Sequence, residues 1–164
     1  MVERCPDKTE VDGPIPSMLT MPIGISKLNS LPSSSIEQNE KIDLSILFAE
    51  DNDVLRDLLI DLFEIRYTKV KAVENGDFLV KELLTPGANY DCVVTDNSMP
   101  IKSGLDALRE IRSIEKFKNL PVVVLTADNY EIAHFVKDLG AICLGKPPKI
   151  DDLYSKIERI TGVK

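Results

Sequence analysis

The strongest constraint on this chain is a strict alternation of two patterns between Ile42 and Ile160. Five short apolar runs, at Leu44–Ala49, Lys69–Val73, Cys92–Thr95, Val122–Leu125 and Ala141–Leu144, are each followed by residues at helical spacing. Strands buried on both faces read as continuous apolar runs. Strand–helix alternation of this kind implies a parallel sheet with helices on both faces. The first helix starts at a cap, Asn52 or Asp53, and places Val54, Leu55, Leu58, Leu59, Leu62 and Phe63 on one face. Phe78, Leu79, Leu83 and Leu84 mark the second, stopped at Pro86-Gly87, and Leu105, Leu108 and Ile111 the third. The fourth spans Asp128–Leu139, with Ile132, Phe135, Val136 and Leu139 inward and Gly140 ending it; Ile150, Leu153, Ile157 and Ile160 mark the last. The expected class is α/β, a doubly wound five-stranded parallel sheet, (βα)5, behind a mostly irregular N-terminal extension.

That extension is residues 1–40, which hold five of the ten prolines (Pro6, Pro14, Pro16, Pro22, Pro32) and the Ser33-Ser34-Ser35 run. Prolines this frequent remove helix and ladder hydrogen bonds, so a disordered or loosely packed arm is expected before a domain over 41–164. Within it, Met18–Leu31 is apolar enough to dock on a partner or on its own domain.

Bulk properties exclude several function classes. A chain with 43% hydrophobic and 29% charged residues can bury a real core. Its net charge is −7 and it has no dense basic cluster, so direct nucleic-acid binding is not expected. Arg109, Arg112, Lys116 and Lys118 read as a solvated helix face. Cys5, Cys92 and Cys143 are odd in number, widely spaced and without a C-x-x-C pair, which suits buried thiols in a reducing compartment. No apolar run approaches the roughly 18 residues of a membrane span, and no signal-peptide core is present, so a cytoplasmic location is expected.

Chemistry gathers at the ends of the apolar runs. The first closes on Glu50-Asp51, the third on Asp96, the fourth on Thr126 and the fifth on Lys146. In the doubly wound strand order 2-1-3-4-5, the ends of strands 1, 3, 4 and 5 are neighbours at the carboxyl edge, where open α/β sheets keep their sites. Three carboxylates would then share one crevice with a hydroxyl and an amine. Two carboxylates 4 Å apart repel by roughly 4 kcal/mol at an effective dielectric near 20. Such a cluster calls for a cation, and hard oxygen ligands with open positions suit Mg²⁺. Each residue taken alone has a plainer explanation, as a helix-start acid, a turn cap or a solvated lysine; their joint occurrence at four strand ends does not.

Residues 43–161 resemble the receiver domain of two-component response regulators, a flavodoxin-like (βα)5 fold with strand order 2-1-3-4-5. The residues that carry the resemblance are Glu50-Asp51, Asp96 followed by Met99-Pro100 and Gly104, Thr126-Ala127, and Lys146-Pro147. The resemblance implies that Asp96 accepts a phosphoryl group from a phosphohistidine on a histidine kinase or histidine phosphotransfer protein. It implies Mg²⁺ bound by Glu50, Asp51, Asp96 and the backbone carbonyl of Ser98, with Lys146 and Thr126 neutralising the phosphoryl oxygens and a cis bond before Pro147. Readout is then expected on the helix 4–strand 5–helix 5 face, through exposed Tyr130, Glu131, His134 and Lys137, toward a downstream protein. The run Ala49–Asn52, AEDN, is common in receivers of hybrid sensor kinases and so implies a phosphorelay role. Enzymatic activity beyond self-phosphorylation and self-dephosphorylation is not expected. A receiver-shaped binding scaffold independent of phosphorylation is the alternative.

Some features depart from the pattern or imitate another. Many receivers carry an aromatic residue three positions before the lysine; here Cys143 stands there, too small to gate a pocket by swinging, so any switch runs through loop movement or another side chain. The resemblance also implies that Ser98 and Asp128, two residues beyond Asp96 and Thr126, flank the path of attacking water. Gly140–Lys146, GAICLGK, nearly spells a phosphate loop, but Pro147 replaces the needed hydroxyl and the first glycine follows a helix where a strand is required. His134 is the single histidine, placed as a surface residue, so the phosphoryl group is expected from another protein. Only Gly162-Val163-Lys164 follow the last helix, and no output domain is expected in this chain.

Overall fold

A computed structural model describes residues 40–127 and 130–163. The arm expected over 1–40 lies outside these, Glu40 excepted, as does Asp128. The elements run β1 (Ile42–Ala49), α1 (Asp53–Arg66), β2 (Tyr67–Val73), α2 (Gly76–Leu84), β3 (Cys92–Asp96), α3 (Gly104–Ser113), a 3-10 turn (Glu115–Phe117), β4 (Val122–Thr126), α4 (Tyr130–Asp138), β5 (Ile142–Gly145) and α5 (Ile150–Thr161). All pairings are parallel, in the order β2-β1-β3-β4-β5. Strand order reverses at β1, so a crevice opens beyond the carboxyl ends of β1 and β3.

Every residue of β3 and β4 is buried, as their unbroken apolar runs require. Leu47, Val93, Val122 and Val124 face the layer made by α2, α3 and α4. Ile46, Phe48, Val94, Val123 and Leu125 face α1 and α5. Three helices start on side-chain caps: Asn52 accepts from the amide of Leu55, Asn75 from those of Asp77 and Phe78, and Ser103 from that of Asp106. Among the described residues, no helix is long and apolar enough to cross a membrane.

Helix faces are narrower than the sequence pattern suggests. Leu59 and Phe63 carry the contact of α1, while Val54 and Leu58, expected inward, are 80% and 54% exposed. The apolar set of α1 covers roughly half the helix circumference, and a helix lying on a sheet buries only a stripe of it. For the same reason Phe78, Leu84 and Phe135 turn outward, leaving Leu79, Val80 and Leu83 to bury α2 and Val136 to bury α4. The third helix holds Leu105, Leu108 and Ile111 inward as expected, and α5 buries Leu153 and Ile157. Cys92 is sealed in the core, where burial and then the charge of Asp91 push its thiol up to about 12. Cys143 is half-buried against the other layer, and both thiols are free.

Two close backbone approaches set the carboxyl edge. A β-carbon at Gly104 would stand 2.3 Å from the carbonyl oxygen of Asp96, so α3 tucks directly beneath the end of β3. One at Gly76 would meet the carbonyl of Lys102 at 2.6 Å, an oxygen that accepts from the Gly76 amide at 3.2 Å. Phe63 is fully buried, with ring centroids 5.7 Å from Phe48 in an edge-on pair and 6.0 and 6.2 Å from Tyr67 and Tyr154.

Truncation to Phe63→Ala is expected to lower unfolding free energy by about 3–5 kcal/mol in urea denaturation, because the cavity opens inside this aromatic cluster. Gly104→Ala is expected to destabilise by about 1–3 kcal/mol in the same assay, since the clash is with backbone that cannot rotate away.

Candidate functional site

Each of the five residues singled out at the strand ends arrives at the same crevice. The end of β1 delivers Glu50 and Asp51, β3 delivers Asp96, β4 Thr126, and the turn after β5 Lys146. Glu50, Asp96 and Thr126 are almost completely buried, whereas Asp51 is exposed at the rim. Carboxylate oxygens of Glu50, Asp51 and Asp96 all lie within 4.8 Å of one another. Lys146 reaches in from the far side, its Nζ 3.0 Å from Glu50 Oε2 and 2.9 Å from Asp96 Oδ2. Its own backbone amide donates to the carbonyl of Thr126 at 2.8 Å, which ties the β5 turn to the end of β4.

The electrostatics are those of a charged pocket with incomplete compensation. Burial works against the Lys146 charge, but hydrogen bonds to Asp96 and Glu50 outweigh it and hold the ammonium above the usual lysine range. The second oxygen of Asp96, Oδ1, is buried and has no hydrogen-bond partner. A buried lone pair without a donor calls for an explanation, and a cation is the simplest one here. Three carboxylates, one with a buried oxygen that no donor satisfies and one open to water, fit a hard divalent ion that keeps part of its hydration shell.

Several neighbours escaped the sequence reading. Asn97 is buried, and its side-chain oxygen accepts from the Leu105 amide at 3.1 Å. Its carbonyl accepts from the amides of Met99 (3.2 Å) and Gly104 (3.1 Å), so one residue stitches the whole β3–α3 loop. An asparagine immediately past a strand is a turn-former, and that was the available signal. Lys102 clamps the same loop, with Nζ 3.3 Å from Asp77 on α2 and 2.6 Å from Glu110 on α3. Between them Ile101 adopts a left-handed φ of 70°, uncommon for a β-branched residue. Arg56, on the first turn of α1, donates from Nη1 to the Glu50 carbonyl at 2.8 Å.

The other residues named from the sequence also have definite places. Ser98 is exposed in the loop beyond Asp96, and Ala127 is exposed beside Thr126. The Lys146-Pro147 bond is cis. Cys143 pairs with Val124, two rungs before Gly145 meets Thr126, so a half-buried thiol occupies the place of the family's aromatic residue. Tyr130, Glu131, His134 and Lys137 are all exposed on α4. Gly140, with φ 67°, lies past the end of α4, Ile142–Gly145 form β5 and Lys146 follows it, so GAICLGK is turn and strand rather than phosphate cradle.

Comparison with known proteins agrees with this geometry. The response regulator receiver domain family matches residues 46–158. The chain is 31% identical over 144 residues to the 3',5'-cyclic-nucleotide phosphodiesterase regA of Dictyostelium discoideum, covering 82% of this chain and 18% of that protein. It is 30% identical over 122 residues to the two-component response regulator ARR7 of Arabidopsis thaliana, covering 68% of this chain and 59% of that one. The chain thus spans less than two thirds of these relatives. Among solved structures, a response regulator receiver domain from Clostridium thermocellum gives a TM-score of 0.67 at 27% identity, covering 73% of this chain and 94% of that one. The receiver domain of a Pseudomonas aeruginosa PAO1 sensor histidine kinase, solved with a magnesium ion coordinated in its active site cleft, gives 0.64 at 28% identity, covering 74% and 99%. With the five-stranded order, the acidic pocket and the family match in agreement, the chain belongs to the response regulator receiver domain family.

Proposed function

We propose that this chain is a phosphoacceptor in a two-component or phosphorelay system, taking a phosphoryl group onto Asp96 and signalling through protein–protein contact. One observation carries the reading: Asp96 is buried against Lys146 and the acidic pair, yet keeps one oxygen without a partner. A structural ion pair would satisfy both oxygens; an acceptor keeps one available.

The donor is a phosphohistidine on a histidine kinase or histidine phosphotransfer protein. An Asp96 oxygen attacks phosphorus in line, forming a P–O bond as the P–N bond breaks, and the imidazole leaves with the bonding pair and takes up a proton. Phosphoryl transfer asks the protein for positioning and charge neutralisation more than covalent help. Lys146 is already in place to neutralise a phosphoryl oxygen, and Thr126, at the adjacent strand end, offers a hydroxyl to another. Glu50, Asp51, Asp96 and the Ser98 backbone carbonyl would hold Mg²⁺, which supplies further neutralisation of the charge on the transferring group. The face of α4, β5 and α5 then serves as the contact surface for a downstream protein. Nothing in this reading requires membrane or nucleic acid, and the cytoplasm is the proposed compartment.

The test is intact-mass measurement after incubation with acetyl phosphate, or with a phosphorylated histidine phosphotransfer protein, in the presence of Mg²⁺. The expected result is the addition of one phosphoryl group, abolished by chelation of Mg²⁺ and by Asp96→Asn. No mass change with any donor would instead favour a receiver-shaped binding scaffold.

A further inference from the structure

The turn that carries Glu50 and Asp51 is held from one side by a single side chain. Glu50 is 2% exposed, and its amide continues the ladder by donating to the Val73 carbonyl at 3.1 Å. Its carbonyl has left the sheet, and a buried carbonyl without a donor is costly. Arg56 supplies that donor: Nη1 bonds the Glu50 carbonyl at 2.8 Å, while Nη2 bonds the Asp53 carboxylate. The guanidinium therefore bridges Glu50, the first residue of the acidic pair, and Asp53, the first residue of α1. Two other bonds tie the same turn: the Asn52 amide to Glu50 Oε1 at 3.4 Å, and the Leu55 amide to the Asn52 side chain at 2.9 Å.

We propose that Arg56 is a positioning residue, fixing the β1–α1 turn so that Glu50 and Asp51 face Asp96 as a preformed divalent-cation site. It would touch neither the cation nor the phosphoryl group. The inference rests on the reading above that the acidic cluster holds Mg²⁺. Two effects oppose each other. A cation beside the cluster discourages a second cation, whereas a fixed turn spares the carboxylates from being gathered against their mutual repulsion. Asp53 neutralises the Arg56 charge, so the geometric effect governs. The fork matters as well as the charge, because two rigidly spaced donors reach two acceptors that a lysine's point charge cannot hold together. Partners that orient metal ligands from behind typically cost 10–100-fold in affinity when removed.

The experiment is a calorimetric Mg²⁺ titration of the full chain, wild type beside Arg56→Ala and Arg56→Lys, at a temperature where circular dichroism shows each variant folded. The expected result is Mg²⁺ binding about tenfold weaker in Arg56→Ala, with Arg56→Lys recovering only part of the loss despite its charge. Hydrogen exchange at the amides of residues 51–55 is expected to quicken in both variants without metal. Unchanged or tighter Mg²⁺ binding in the variants would overturn the proposal, tighter binding meaning that charge governs. Should Arg56→Ala fail to fold, Arg56→Lys decides alone, and wild-type affinity in it is the contrary result. A wild-type protein that takes up no Mg²⁺ overturns the phosphoacceptor reading together with this one, whereas normal wild-type uptake with unaltered variants overturns this one only.

Discussion

Glu50 and Asp96 are both nearly sealed from water, and each has an oxygen within 3.0 Å of the Lys146 ammonium. Without that cation, two buried carboxylates would face each other across a few ångströms, and their repulsion of roughly 4 kcal/mol would rival much of the net stability of a small domain. The lysine comes from the turn after β5, far along the chain from either acid, so the pocket exists only if β5 lies beside β4, β4 beside β3 and β3 beside β1. Sheet order and pocket charge are one constraint. The parallel crossovers bring the four strand ends to one edge, and the ion pairs reward that arrangement and no other. One ammonium against three carboxylates still leaves a net negative crevice. That residual charge, with the unpartnered Asp96 oxygen, is the physical basis for expecting a divalent cation.

Holding Asp96 at the mouth of the crevice falls to the β3–α3 loop, built almost entirely from backbone contacts. Gly104 lets α3 approach the Asp96 carbonyl, Asn97 bonds to both sides of the loop, and Gly76 lets the start of α2 close on Lys102. The Lys102 side chain then ties α2 and α3 across the loop through Asp77 and Glu110. Ile101, left-handed and 82% exposed, is the local cost of this tight path, of order 1–3 kcal/mol. Strain of this size survives only where the surroundings fix the backbone on both sides, as the bonds of Asn97 and Lys102 do here.

How far these features can be read from sequence follows from the kind of contact involved. The order of elements and the meeting of Glu50, Asp51, Asp96, Thr126 and Lys146 were legible, because strand periodicity and strand ends leave direct marks in composition. The orientation of Val54, Leu58, Phe78, Leu84 and Phe135 was not. Helical spacing tells which residues share a face, but not how wide a stripe the sheet will cover. Arg56 and Asn97 were passed over for another reason. Each acts mainly on backbone carbonyls or amides, and an acceptor that every residue carries leaves no trace in the sequence of side chains. Strand and helix bounds also moved: α1 passes directly into β2 at Tyr67, because the Tyr67 ring joins the aromatic cluster of Phe63 and Tyr154 where a polar turn would break it.

The same geometry bears on how a phosphorylated form would signal under the proposed function. A modification shifts two states only through its differential interaction with them, and moving a population from 1:99 to 99:1 takes roughly 5.5 kcal/mol. Lys146 already contacts Asp96 before any phosphoryl group arrives, so it gains charge opposite it but need not travel. Little of the difference between states can come from recruiting it. Cys143 cannot supply the difference either, since a half-buried thiol has no ring to swing between two positions. What remains is the end of β4 and the helix it leads into. Thr126 sits at the pocket, and α4 is a nine-residue helix with Val136 as its buried residue among those described. Its partly buried Ile132, with Leu139 just past its end, adds to that anchor, while Phe135 stays outside beneath the Arg109 guanidinium of α3, 5.7 Å from its ring centroid. This helix packs on α3, β4 and β5 together, so movement at the end of β4 reaches it directly. The burden of switching therefore falls on the attachment of α4 to α3 and the sheet.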